Sequence, residues 1–346
     1  MKTHTGGFRP LAYVLLGAAT LLTMLLCVCV GSVGLPPLQT LRIIASAAFG
    51  QPIPDSVYSA IILSVRLPRV LCVALTGAAL ALCGGAMQGL LRNALADGST
   101  LGVASGASLG AVIAIAFGIT FPAIPFAGTM LMAMAFGFLS LIVILSLAYR
   151  LDGSLSTNTI ILVGVIWSMF ISSIISLIVT FAGDKIRSIT FWNMGSLQGS
   201  DYTSAWILLG ALVFFGGIIL TLSRELNAFA LGEANARSIG VHVRRVKLTV
   251  LICVSALIGV CVSIGGSIGF VGLVTPHMIR LIVGPNHKRL LPASLFGGAI
   301  FLLLCDLVSR VLLNPIELPI GVVTSFIGAI AFIIIFYRAR KEAAHA

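Results

Sequence analysis

Apolar runs of bilayer length dominate this chain and leave it few ways to fold. Ten can be read: Leu11–Val30, Val70–Leu90, Leu101–Gly118, Pro125–Tyr149, Thr159–Phe181, Ala205–Leu222, Leu248–Ile264, Ile268–Val283, Leu291–Leu307 and Leu318–Phe336. About 20 apolar residues cross the hydrocarbon core as a helix, which satisfies its own backbone polar groups where water is absent. The runs predict an all-α, polytopic membrane protein with about ten transmembrane helices. Only 9% of the 346 residues are charged, where a soluble domain carries about a quarter. Residues 1–346 therefore read as a single transmembrane domain.

Lysine and arginine are retained on the cytoplasmic side, so their distribution orients the spans. With both termini cytoplasmic, fifteen of the 21 lie inside, and Arg42, Arg66, Arg69, Lys185, Arg187 and Arg310 lie outside. The net charge of +11 is then mainly topology and no nucleic-acid footprint. All seven cysteines fall in apolar runs, which suits small core residues with free thiols better than disulfides or metal ligands.

One long interior stretch is polar. Arg224 to Lys247 carries seven formal charges in 24 residues and faces the cytoplasm in this orientation. It fits two short helices, from about Glu225 to Leu231 and from Glu233 to Ile239, with Gly232 between them and Gly240 as the stop. Glu233 suits the positive end of the second helix dipole and can pair with Arg237 one turn on. A helix of about seven residues is marginal alone, so it needs the membrane domain or a partner protein to pack against. A plain solvated loop is the alternative.

Elsewhere the polar groups are few. Gly85 and Gly89, and Gly102, Gly106 and Gly110, recur every fourth residue and let helix backbones approach closely. Gln88, Asn93 and Asp97 bring polarity to the inner ends of two spans and are candidate pathway lining. Arg66-Leu67-Pro68-Arg69 puts two cations at the outer mouth of the second span, either as lipid headgroup anchors or as a docking patch for an acidic partner. Asp306 and Arg310 are one turn apart and can pair; Glu317 suits the start of the last helix. Four glycines and a proline between Gly265 and His277 predict a bent or interrupted helix. His277 has no second histidine or carboxylate at ligand spacing, so a hydrogen-bonded structural role is expected and no metal site.

The chain contains no GxxxxGK[ST] or HExxH pattern, so neither nucleotide hydrolysis nor a familiar zinc-protease site is expected of it. Energy for uphill movement must come from elsewhere. An ion-coupled secondary transporter is a rival reading, but such mechanisms place ionisable groups near the midplane. Here the acids cluster at helix ends, Asp306 being a partial exception.

Several blocks, in order, resemble the FecCD family of permease subunits from ATP-binding-cassette (ABC) importers for iron-siderophores, haem and vitamin B12. They are Arg66-Leu67-Pro68-Arg69 with Gly77-Ala78-Ala79-Leu80 and Gln88; Leu101-Gly102 with Gly106-Ala107; Gly195-Ser196-Leu197; Leu231-Gly232-Glu233 with Ala236-Arg237 and Gly240; Gly269-Phe270-Val271-Gly272-Leu273 with Pro276-His277 and Arg280; and Glu317-Leu318-Pro319 with Gly321.

The resemblance implies a permease of the bacterial cytoplasmic membrane that works by alternating access. A second permease subunit is expected, as an identical copy or else as a pseudo-symmetric homologue, with two ABC ATPase subunits beneath and an extracytoplasmic substrate-binding protein above. The chain itself is expected to be no enzyme and to bind no cofactor, ATP and Mg residing on the ATPase subunits. By the same resemblance, Leu231, Gly232, Glu233, Ala236, Arg237 and Gly240 match the ATPase-coupling segment within residues 224–247. Arg66, Arg69 and Arg310 match arginines that dock the binding protein. Gln88, Asn93, Leu95, Leu155 and Ser156 fall to the pathway and its inner constrictions. An iron-siderophore is the expected cargo, with haem and cobalamin as alternatives. The chain departs from the family pattern in having Ala94, Gly98, Ser267 and Ile330 where prolines are frequent.

Overall fold

The computed structural model of the protein describes residues 10–31, 34–53, 56–120, 127–153 and 156–345. Among them each of the ten expected runs holds a helix, 7 of them long and apolar enough to cross a membrane and the others with shorter apolar stretches. The helices are α1 (Pro10–Cys29), α3 (Val57–Leu91), α4 (Val103–Ala116), α5 (Ala127–Leu151), α6 (Thr157–Phe181), α8 (Tyr202–Thr221), α11 (Val243–Gly265), α12 (Val271–Val283), α13 (His287–Val311) and α14 (Ile320–His345). Four shorter helices join them: α2 (Pro37–Ala48), α7 (Ile186–Asn193), α9 (Ser223–Phe229) and α10 (Glu233–Ser238).

Local chemistry sets the helix ends. Ser156, Asp201 and Asn286 each accept a backbone N–H of the following first turn and so cap α6, α8 and α13, satisfying donors that have no intrahelical partner. At the other end of α3, Arg92 takes the left-handed conformation that stops a helix. Within α3 the ladder widens to a π-helix over Ile61–Arg66. Pro68 follows two residues later and has no N–H to return to the preceding turn.

Two helices form the centre. In its most apolar window α3 is 89% buried and α11 78%, against 11% for α1 and 22% for α6. Small residues make this possible. A Cβ on Gly77 of α3 would strike the carbonyl oxygen of Gly298 on α13, and a Cβ on Gly298 would strike that of Gly77. Gly106 and Gly110 sit as tightly against Ser140 and Met132 of α5. Without a hydrophobic drive between helices in lipid, such backbone contact supplies the packing energy.

The interruption expected between Gly265 and His277 is present. Residues 266–270 leave helical geometry between α11 and α12, and Phe270 takes a positive φ of 67°. Pro276 is accommodated inside α12.

Candidate functional site

Three places gather the polar side chains. At the end that the charge distribution assigns to the cytoplasm, called inner below, α9 and α10 lie against the bundle with Leu226, Phe229 and Ala236 buried, while Leu231 and Ile239 are 64% and 63% exposed. Gly232 and Gly240 adopt φ of 101° and 90°, conformations that a side chain would strain. They separate the two helices and end the second. Glu233 does not pair with Arg237 along its own helix, as its spacing suggested. Its Oε1 lies 2.6 Å from Nζ of Lys247 on α11, and Arg237 is exposed. A fully buried ammonium outcompetes a solvated guanidinium for the carboxylate, because less water must be displaced to make the pair effective.

At the outer end, Arg69 donates from Nε to Asp306 Oδ1 (3.0 Å) and from an amino group to Glu317 Oε2 (2.8 Å). Arg310 Nε stands 2.9 Å from Asp306 Oδ2, the one-turn pair expected from sequence. The same arginine donates to the carbonyls of Cys27 (3.0 Å) and Val30 (3.3 Å), and Arg66 donates to those of Val28 (2.7 Å) and Cys29 (3.2 Å). Together they cap the carbonyl end of α1, where a cation is favoured. The open docking patch expected of Arg66, Arg69 and Arg310 is therefore not what this conformation presents. All three are less than a tenth exposed, because each finds carboxylates or helix-end carbonyls inside the protein. Glu317 precedes α14 and turns to Arg69 instead of serving the helix start.

The inner pathway residues separate into different settings. Gln88 is buried, donates to the carbonyl of Leu273 (3.1 Å) and accepts from Arg280 (3.2 Å), tying α3 to α12. Asn93 holds the turn after α3 by accepting Leu95 N–H (2.9 Å), which leaves the Leu95 side chain exposed. Asp97 accepts Gly98 N–H (2.7 Å) at the position of a missing proline. Ser156 is the cap of α6 and bonds Thr159 Oγ1 (2.8 Å); Leu155 lies outside the described residues. Arg92 Nη1 comes within 3.7 Å of where a Cβ on Gly232 would stand, which brings the turn after α3 beside the coupling segment. His277 is half-buried, and its Nδ1 has no hydrogen-bond partner, so the hydrogen-bonded role expected for it is not met at that atom.

A cavity of about 610 Å³ opens between the α7 end, the 266–270 link and the start of α14. Its lining is Asn193, Met194, Ser267, Gly269, Phe270, Gly321, Val322, Ser325 and Phe326. Ser267, one of the positions lacking an expected proline, is part of it. No lining side chain carries a formal charge.

Sequence reasoning missed Asn227, Asn286 and His287, which join α9 to α13. The Pro-Asn pair ahead of a basic helix start was a legible cap signal for Asn286; nothing local marked Asn227 as its partner.

A bundle of apolar helices with a polar segment docked on one end and an uncharged cavity between helices has the architecture of a membrane transport permease. The profile of the FecCD transport family matches residues 19–338, and the chain belongs to that family. It is 40% identical to an uncharacterised ABC transporter permease, YvrB of Bacillus subtilis, over 96% of this chain and 95% of that one. It is 37% identical to the cobalamin import system permease BtuC of Halobacterium salinarum, over 87% of this chain and 79% of that one. A solved inward-facing structure, provisionally described as a metal-chelate type ABC transporter, superposes with a TM-score of 0.83 at 32% identity, covering 95% of this chain and all of that one. The protein is thus an ABC-importer permease and a multi-pass protein of the cytoplasmic membrane.

Proposed function

We propose that this permease moves an organic metal chelate inward by alternating access, driven by two separate ATPase subunits beneath it and loaded by a binding protein above. The observation that carries the reading is the inner segment. Its buried face is fixed to α11 by Glu233 and Lys247, and its outer face offers exposed Leu231 and Ile239. Exposed apolar side chains on a rigid, otherwise polar segment suit the core of a protein interface. Leu231, Gly232, Glu233, Ala236, Arg237 and Gly240 would then seat on the ATPase, with both termini on the same cytoplasmic side.

The cargo reading rests on the cavity. Its size and its amide, hydroxyl and aromatic lining suit a bulky chelate whose metal is already wrapped, and not a small bare oxyanion. Cobalamin, haem and ferric siderophores all meet that description. The relative named for cobalamin import makes cobalamin the first to try, ahead of the siderophore expected from sequence.

At the outer face, an acidic binding protein would offer carboxylates to Arg66 and Arg310 in exchange for the neutral carbonyls of α1, replacing ordinary hydrogen bonds with charge-assisted ones. Gln88, Asn93, Leu95, Leu155 and Ser156 keep their assignment to the inner pathway. Asp306 is committed to Arg69 and Arg310, which argues against its use as an ion-coupling group.

The test is hydrolysis in liposomes holding the permease with its ATPase and binding protein, across cobalamin, haem, a set of ferric siderophores and molybdate. Stimulation by one chelate-loaded binding protein is expected. Stimulation by molybdate alone would overturn the cargo reading; uptake that follows an imposed proton or sodium gradient, with no ATPase retained, would overturn the importer reading.

A further inference from the structure

One side chain holds the first helix of the inner segment to the bundle in a directional way. Asn227 on α9 accepts at Oδ1 from His287 N–H (2.8 Å), and the same oxygen lies 2.8 Å from His287 Nδ1. An amide oxygen can only accept, so Nδ1 carries the ring proton. Asn227 Nδ2 donates to Asn286 Oδ1 (2.9 Å), which also accepts Lys288 N–H (3.0 Å) as the cap of α13. The helix start, with its unpaired N–H groups, is thus completed by a residue of α9.

The His287 ring is 5% exposed and abuts Gly89 of α3, where any Cβ would overlap Nε2. Three elements meet at this imidazole. From there outward, α3 and α13 are fastened to each other twice more: backbone to backbone at Gly77 and Gly298, and through Arg69 and Asp306 at the outer end. Helices joined at three levels along their length move as one body, since packed interfaces switch between arrangements and do not deform continuously. The apolar contacts of Leu226 and Phe229 could slide, being non-directional. The Asn227 hydrogen bonds set register.

We propose that Asn227 is the positioning residue that couples the inner segment to the α3–α13 pair, so that displacement of the segment reaches the outer arginine cluster as the movement of a single body. The proposal rests on the importer reading given above.

It is tested in the complete transporter in liposomes, with a nitroxide label at Leu313→Cys. This exposed site lies just beyond the end of α13, and the native cysteines are buried. MgATP with vanadate is the probe, so no cargo is needed. The label response is compared in otherwise wild-type protein, Asn227→Ala, Asn227→Asp and Ser140→Ala. Aspartate keeps the acceptor for both His287 donors. Ser140→Ala removes the unrelated bond from Trp167 between α5 and α6.

Wild-type protein is expected to show a nucleotide-dependent change in label mobility, and Asn227→Ala to show one about fivefold smaller while retaining its ATPase subunits. Asn227→Asp should restore at least half of it, and Ser140→Ala should leave it unaltered. A full response in Asn227→Ala, no rescue by aspartate, a loss that merely tracks departure of the ATPase, or an unresponsive wild-type label with ATPase retained would each overturn the proposal. Wild-type permease that retains no ATPase would instead bring down the importer reading itself, and this proposal with it.

Discussion

Glu233 Oε1 lies 2.6 Å from Nζ of Lys247, a lysine with no solvent exposure. One end of this pair belongs to the inner segment and the other to α11, among the most buried helices of the bundle. The segment is therefore seated by a charge pair across elements, and its own one-turn pairing is forgone.

Glu233→Ala removes the carboxylate that faces the buried ammonium. Because Glu233 is itself 30% exposed, the expected loss is about 2–3 kcal/mol, at or below the low end for breaking a buried pair. Thermal unfolding in detergent reads it directly. Glu233→Ala with Lys247→Met should be the more stable of the two variants, and a double variant no better than the single would show that the pair is not the source of the loss.

Asp306 faces two arginines and is fully buried. Asp306→Asn keeps the shape and removes the charge, with an expected loss of about 3–5 kcal/mol. Denaturant unfolding of the purified permease measures it; a loss under about 1 kcal/mol, the range of exposed pairs, would mean that the cluster is solvated.

Glycine substitutions should split by sign. Gly298→Ala forces α13 away from α3 and is expected to cost about 1–3 kcal/mol by overpacking. Gly217 on α8 has nothing within 4 Å of where a Cβ would stand, so Gly217→Ala is expected to be neutral or to stabilise by up to about 1 kcal/mol through helix propensity. A melting temperature lowered by Gly298→Ala and left unchanged or raised by Gly217→Ala would confirm the close approach.

The cap of α8 sets an acid limit. Burial works to raise the Asp201 carboxyl, but hydrogen bonds from Ser204 and Thr203 outweigh it and hold the pKa below the ordinary 3.8. A carboxyl lowered on folding contributes stability that is present above the unfolded value and lost as pH falls through the folded one. Wild-type melting temperature should therefore decline below about pH 4 more steeply than that of Asp201→Asn, which caps without titrating. Parallel profiles would remove Asp201 as the source.

The resemblance blocks and the ten apolar runs were readable along the chain because both depend on residue type at short spacing. Helix positions, the breaks at Gly232 and Gly240, and the Asp306–Arg310 pair follow from periodicity, glycine geometry and one-turn reach. Even where the pattern was right, the partner could be wrong: Glu233 has a cation four residues away and another fourteen away, and spacing favours the near one.

What decided between them was burial, which no local window contains. Lys247 becomes the stronger partner only once α11 is enclosed, and Arg66 and Arg310 become internal caps only once α1 ends beside them, while Arg69 turns inward to Asp306 and Glu317. Asn227 and His287 are sixty residues apart, and their meeting at Gly89 depends on how closely α3 and α13 approach. Local sequence was sufficient for the elements, the family and the class of work done. The charge partners and the seat of the inner segment came from tertiary packing, because an ion or an amide selects its partner by the water that the fold removes from around it.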